Sequence, residues 1–233
     1  MAGKRKIIKK KLKEPDEFMT ITESTFIFVK DHLRPLLTGG MIVVVILLAV
    51  FFYQRWERNK EQEARQSLNL AVEAYQMVNS PTREGIAQDY KNLLKIFDEV
   101  ITKFPQTSSG KLSLLYEGNI HLQLGEFEEA IKVYQTFIQK GGKEKFYRLF
   151  ATEGLGYAYE GKKDYEKALH TYQKIVEMGE SVHLAGAYLN MGRCYEKLGK
   201  TKEALENYKS FLKISSTSQM TNAILRKVSN LEK

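Results

Sequence analysis

His32, His121, His170 and His183 are the side chains of this 233-residue chain best suited to move protons near neutral pH or to ligate a transition metal. They lie far apart, without partners at metal-ligand spacing, so neither a metal centre nor a histidine-driven catalyst is expected. Cys194 is a single cysteine, which rules out an internal disulfide, and it is expected as a small buried residue. The carboxylates in "EFEEA" and "ALENY" follow helical spacing and read as helix-surface charge rather than a converging acid–base pair. No strand pattern occurs, so no glycine-rich loop can follow a strand to cradle phosphate. An enzyme, a cofactor and a metal are therefore not expected. What the chain offers is the chemistry of recognition, with aromatic, amide and charged side chains displayed on helices.

Those helices repeat. "YEGNIHLQLGEFEEAIKVYQTFIQKG" (Tyr116 to Gly141), "GLGYAYEGKKDYEKALHTYQKIVEMG" (Gly154 to Gly179) and "NMGRCYEKLGKTKEALENYKSFLKIS" (Asn190 to Ser215) fall into register. Gly118, Gly156 and Gly192 recur at intervals of 38 and 36, as do Ala130, Ala168 and Ala204, and Tyr134, Tyr172 and Tyr208. A small residue twelve places before an alanine predicts two helices joined by a turn, with the glycine and the alanine letting the backbones approach closely. Phe127, Tyr134, Phe137, Tyr159, Tyr165, Tyr172, Ile175, Met191, Tyr195, Tyr208 and Phe211 are the expected fillers. Turns are expected at "LGEF", "GKKDY" and "LGKT", with Gly125 and Gly199 in the left-handed conformation. Before these units, "YKNLLKIFDEVITKFPQTSSG" reads as the second helix of an atypical first repeat, with Leu93, Phe97 and Val100 inward and its partner in "EARQSLNLAVEAYQMVNS" beyond a loop around Pro81 and Gly85. After them, Met220, Ile224, Val228 and Leu231 mark one stripe of a capping helix.

Ahead of the repeats, Leu36 to Tyr53 carries no charge over eighteen residues. A helix of that length covers about 27 Å, close to the hydrocarbon thickness of a bilayer. Pro35 enters at the first turn, Tyr53 and Trp56 mark the far interface, and the bulky "FFYQRW" ending does not resemble a signal-peptide cleavage site. A single transmembrane helix is expected. The chain's net charge of +8 is uneven: residues 1–35 carry nine Lys/Arg against five Asp/Glu, and the opening "KRKIIKKKLK" suits anionic lipid headgroups better than nucleic acid. Phe18, Ile21, Thr25, Phe28, Val29 and Leu33 form an imperfect stripe consistent with a juxtamembrane helix. By the positive-inside rule the tail favours a cytoplasmic N-terminus, although Lys30 and Arg34 close to the span face Arg55, Arg58, Lys60 and Arg65 beyond it. Moving the basic cluster across an energised membrane is unfavourable, so the tail decides.

The repeat spacing resembles the tetratricopeptide repeat, here with longer links. The expected fold is all-α, a single N-terminal transmembrane helix followed by a tetratricopeptide-repeat solenoid. Its parts are a basic tail (1–35), the span (36–53), a linking helix and atypical first repeat (54–110), three repeats (111–215) and a cap (216–233). The layout resembles bacterial inner-membrane proteins described as ancillary Sec translocon subunits. That resemblance implies a periplasmic protein-binding domain on an inner-membrane anchor, with translocon subunits, membrane-anchored chaperones or newly exported chains as partners. A scaffold for another envelope complex is the alternative. Carrying the family's groove positions across implies Leu115, Asn119 and Leu122, then Glu153, Tyr157 and Glu160, then Leu189, Arg193 and Glu196 as the protein-binding groove. Tyr157 is its natural anchor, and His121, where the repeat usually keeps a packing tyrosine, is expected as a core or groove polar group. Relatives that clamp a terminal carboxylate use basic or amide groups where this chain has Leu115 and Glu153, so clamp-type recognition is not implied.

Overall fold

The structure is a computed structural model that describes residues 17–79, 87–141, 144–179, 181–215 and 220–232. The basic cluster of the tail and the loop around Pro81 and Gly85 lie outside the described residues. The chain divides into two compact units, Met1–Glu57 and Arg58–Lys233.

In the first unit, α1 spans Glu17–Asp31 and α2 begins at Leu33, to end at Val78 in the second unit. Every residue from Leu36 to Tyr53 is exposed. This uncharged helical stretch is long and apolar enough to cross a membrane, and none of its apolar window is buried among the described residues. Phe26 and Ile27, off the expected stripe, are at least as exposed as Phe28 and Val29, which lie on it.

The second unit is built of helical hairpins. The C-terminal part of α2 pairs with α3 (Ala87–Lys103), α4 (Ser108–Leu124) with α5 (Phe127–Thr136), α6 (Lys145–Gly161) with α7 (Tyr165–Met178), and α8 (Ser181–Lys197) with α9 (Thr201–Ile214); α10 (Thr221–Leu231) covers the last. A π-helical turn, Phe137–Gly141, prolongs α5. The turns of the last three hairpins have a local cause. Gly125 and Gly199 sit at φ 73°, where a side chain is strained, and Gly125 N–H donates to the otherwise unpaired carbonyls at the end of α4. Lys163 stands in the same repeat column at φ 63°, a lysine doing a glycine's work.

The core runs through the stack in successive clusters, each sharing side chains from one hairpin and the next. Leu68, Ala71, Val78, Leu93 and Phe97 meet Ile120 of α4, and Phe97 stacks on Tyr116 with ring centroids 5.1 Å apart. Ala130, Tyr134 and Phe137 meet Ala151, Leu155 and Ala158 of α6; Ala168, Tyr172 and Ile175 meet Ala187, Met191 and Cys194 of α8. Ile224 and Val228 of α10 close the stack against Ala204, Tyr208 and Phe211, while Met220 stays exposed.

The recurring glycines stand on the first helices and the alanines on the second, both buried as their spacing implies, and the structure adds what lies on each glycine. A Cβ on Gly118, Gly156 or Gly192 would lie 2.7, 2.3 or 2.6 Å from the ring of Tyr134, Tyr172 or Tyr208 respectively. The glycine column is therefore the seat of the tyrosine column. Tyr134 also covers Gly154 of the following hairpin, where a Cβ would approach its ring to 2.4 Å. Each buried ring withdraws on the order of 200 Å² from water, and the missing side chains make the room.

Candidate functional site

The first helices of the hairpins, α4, α6 and α8, lie side by side, and α6 carries a stripe with apolar exposure. Phe146, Phe150, Glu153 and Tyr157 follow one another at spacings of four, three and four, which places them on one helix face. Phe146 is 57% exposed, and Phe150 and Tyr157 are each 40% exposed. Phe146 and Phe150 meet edge to face at 4.8 Å between centroids, and Phe150 meets the His183 ring of α8 at 5.1 Å. A rigid aromatic pair of this kind offers contact area at low entropic cost.

Hydrogen bonds hold the polar part of this face. The Tyr157 hydroxyl donates to Glu153 Oε1 at 3.1 Å and accepts from Asn190 Nδ2 at 3.2 Å. Arg193 Nη2 donates to Asn190 Oδ1 at 3.0 Å, and the guanidinium grips Glu160 with two bonds of 2.8 and 2.7 Å. Below them the buried Tyr172 donates to Glu160 Oε1 at 2.7 Å. Glu160 holds the Arg193 pKa above its ordinary value, against the effect of burial, so the guanidinium stays charged. Burial, with Glu160 beside it, raises the Tyr172 pKa and keeps the phenol a donor. The buried tyrosines repeat this arrangement at either side: Tyr134 donates to Asn119 Oδ1 at 2.6 Å and Tyr208 to Glu196 Oε2 at 2.7 Å.

The nine sequence-derived groove positions thus divide. Glu153, Tyr157, Glu160 and Arg193 come together across α6 and α8. Asn119 and Glu196 are half-buried acceptors for the tyrosine column; Glu196 is also paired with Lys227 of α10 at 2.7 Å. Burial opposes ionisation of Glu196, but Lys227 and the Tyr208 hydroxyl hold its carboxyl below the usual glutamate range. Leu115 is a correction: at 8% exposure it is core, clustered with Ala151 and Leu155 at the seam between α4 and α6, and offers no open contact. Leu122 and Leu189 are half-buried and pack mainly on the cores of their own stretches of the stack. Phe146, Phe150, His183 and Asn190 join the face although no repeat column marks them. Phe146 and Phe150 continue the stripe of Glu153 and Tyr157 by one and two turns, which was the available sign.

His121 lies at the end of α4, its Nδ1 2.7 Å from Glu126 and its Nε2 3.8 Å from Glu117. Glu117 and Glu126 together raise its pKa against burial. Cys194 is fully buried, and burial pushes its thiol up to about 12. Among the described residues, no group of three or more His, Cys, Asp or Glu side chains stands where it could hold a metal ion.

A family model described as a tetratricopeptide repeat-like domain matches residues 28–233. Among solved structures, MamA protein is 16% identical, with a TM-score of 0.55 over 72% of this chain and 83% of that one. A tetratricopeptide repeat protein from Parabacteroides merdae ATCC 43184 is 20% identical, with a TM-score of 0.54 over 71% and 61%. At such identities the likeness concerns the fold. No curated protein matches the chain.

Proposed function

Because this chain belongs to the tetratricopeptide repeat-like domain family, a fold that serves protein–protein interaction, we propose that it is a membrane-anchored binding module whose contact face is built on α6 and α8. The observation that carries this reading is the exposed aromatic stripe Phe146, Phe150 and Tyr157, set beside hydrogen-bonding groups that are already oriented. The proposed face comprises Glu153, Tyr157, Glu160 and Arg193, flanked by Asn119, Leu122, Leu189 and Glu196. Arg193 is already held by Glu160 on two bonds, so a partner carboxylate would have to displace a neighbour at no extra charge gain. Recognition here is aromatic and amide-based rather than a clamp on a terminal carboxylate. The role calls for no acid, base or cofactor, and the protein is proposed to act without catalysis.

The apolar stretch Leu36–Tyr53 is assigned to the bacterial inner membrane, with the N-terminus cytoplasmic and the repeats periplasmic, on the strength of the basic tail. The layout resembles that of ancillary Sec translocon subunits, and the proposed partners are translocon subunits, membrane-anchored periplasmic chaperones or exported chains. A tether raises the effective concentration of such partners around the face without any new contact.

In-cell photocrosslinking from a probe at Tyr157 tests the assignment. Adducts with translocon subunits, chaperones or exported chains are expected; a strong adduct with another envelope complex and none of these overturns it. Orientation is read by a membrane-impermeant thiol reagent, which should label a cysteine placed at Lys202 in spheroplasts. Native Cys194, buried and protonated, contributes little background. Failure to label Lys202→Cys until the membrane is opened reverses the orientation.

A further inference from the structure

A recess lies away from the aromatic stripe, and it gathers four cations. It has a volume of 870 Å³, within the range of about 300–1,000 Å³ common for ligand sites. Arg65 of α2, Lys111 of α4, Lys140 of the π-helical turn and Arg148 of α6 all line it. None of these four cations makes an ion pair among the described residues, unlike Arg193. Two carboxylates share the recess, and one is already committed. Glu61 accepts from the backbone N–H of Ser108 at 2.8 Å and of Ser109 at 3.1 Å, and from the Ser109 hydroxyl at 2.8 Å, so its charge serves the N-terminus of α4. Glu144 alone remains, exposed at the rim. Leu112 and Ile138, both half-buried, give the recess apolar lining.

We propose that this recess between α2, α4 and α6 binds an acidic segment of a partner protein, with carboxylates on Arg65, Lys111, Lys140 and Arg148 and an apolar side chain on Leu112 and Ile138. The four cations come from four different elements. That spread suits carboxylates placed along an extended peptide better than one compact phosphate, and the two arginines can each take a carboxylate bidentately. The inference rests on the reading of the repeats as a protein-binding module, but it uses a different surface from the Tyr157 face.

Fluorescence polarisation on the full chain in zwitterionic nanodiscs tests it, with a labelled hexapeptide of four glutamates, a leucine and a phenylalanine, and its glutamine counterpart. The glutamate peptide should bind in preference, more weakly as salt rises. Replacing Arg65 and Arg148 together by glutamine should weaken it by about tenfold or more. Tyr157→Ala should leave it unchanged. Lys140→Glu, at an exposed position, repeats the test where the double variant loses its thermal unfolding transition. Equal binding of the two peptides, or undiminished binding by folded variants, overturns the proposal. So does loss of affinity for phosphatidylglycerol vesicles in the same variants without peptide binding, which makes the recess a headgroup site. Persisting Tyr157 adducts alongside a failed peptide titration would sink this inference alone.

Discussion

Tyr172 illustrates how one residue type serves packing and recognition at once. Its ring fills the space that Gly156 leaves, and its hydroxyl fixes Glu160, which in turn holds Arg193 on the next hairpin. Lys163 departs from the logic of its column. Gly125 and Gly199 adopt φ 73° without strain, whereas a lysine at φ 63° loses energy to its own Cβ. Lys163→Gly is therefore expected to stabilise the repeats by about 0.5–1 kcal/mol, after allowing for the looser unfolded chain, as read by urea denaturation. His121 gives a pH signature. Glu117 and Glu126 raise its folded pKa above the unfolded value, so its contribution is complete below about pH 6.5 and is lost as pH rises through the folded value. The gap in melting temperature between the unaltered protein and His121→Gln should accordingly be wider at pH 6 than at pH 9. An equal gap at both would refute the charged pair.

At the scale of elements, neighbouring first helices are joined by polar bonds as well as by the core. Arg193 of α8 bridges to α6 through Glu160 and orients Asn190, which reaches Tyr157. Removing the arginine leaves Glu160, only 14% exposed at its side chain, without its cation. Arg193 itself is 38% exposed, which tempers the effect. Arg193→Ala should cost about 1–2 kcal/mol in chemical denaturation, and Arg193→Lys less, since the charge survives while the two-bond geometry does not. A change within error for Arg193→Ala would mean that the pair orients the face without stabilising it.

For the molecule as a whole, the core clusters draw all their side chains from residues 64–231. None comes from the apolar stretch Leu36–Tyr53. Residues 58–233 produced alone should thus be helical in solution and unfold cooperatively, measured by circular dichroism against temperature. Aggregation or a featureless melt would show that the anchor contributes to folding. Because chains built of repeats unfold through neighbour contacts, the α2–α3 hairpin and α10, each with a neighbour on one side, are the expected first places to open.

The sequence by itself determined the helical-hairpin repeat, the inward faces and the uncharged stretch long enough to span a membrane. These rest on periodicity, which is local and survives without knowledge of neighbours: Leu93, Phe97 and Val100, or Ala130, Ala168 and Ala204, announce a buried face by spacing alone. The partner of each small residue was not legible in that way. Spacing placed Gly118 and Ala130 on paired helices, and only the packed structure shows Tyr134 lying on the glycine, because an i-to-j contact between helices depends on rotamer and crossing geometry. The candidate face was legible in part. Tyr157 is exposed as its column implied, but Leu115 is buried by α6, and Arg193 is occupied by Glu160 from another hairpin. The four cations of the recess, unpaired among the described residues, come from residues 65 to 148, too far apart in sequence to be read as one group. Tertiary structure decides those matters, since which charges neutralise each other is a property of distance in space rather than along the chain.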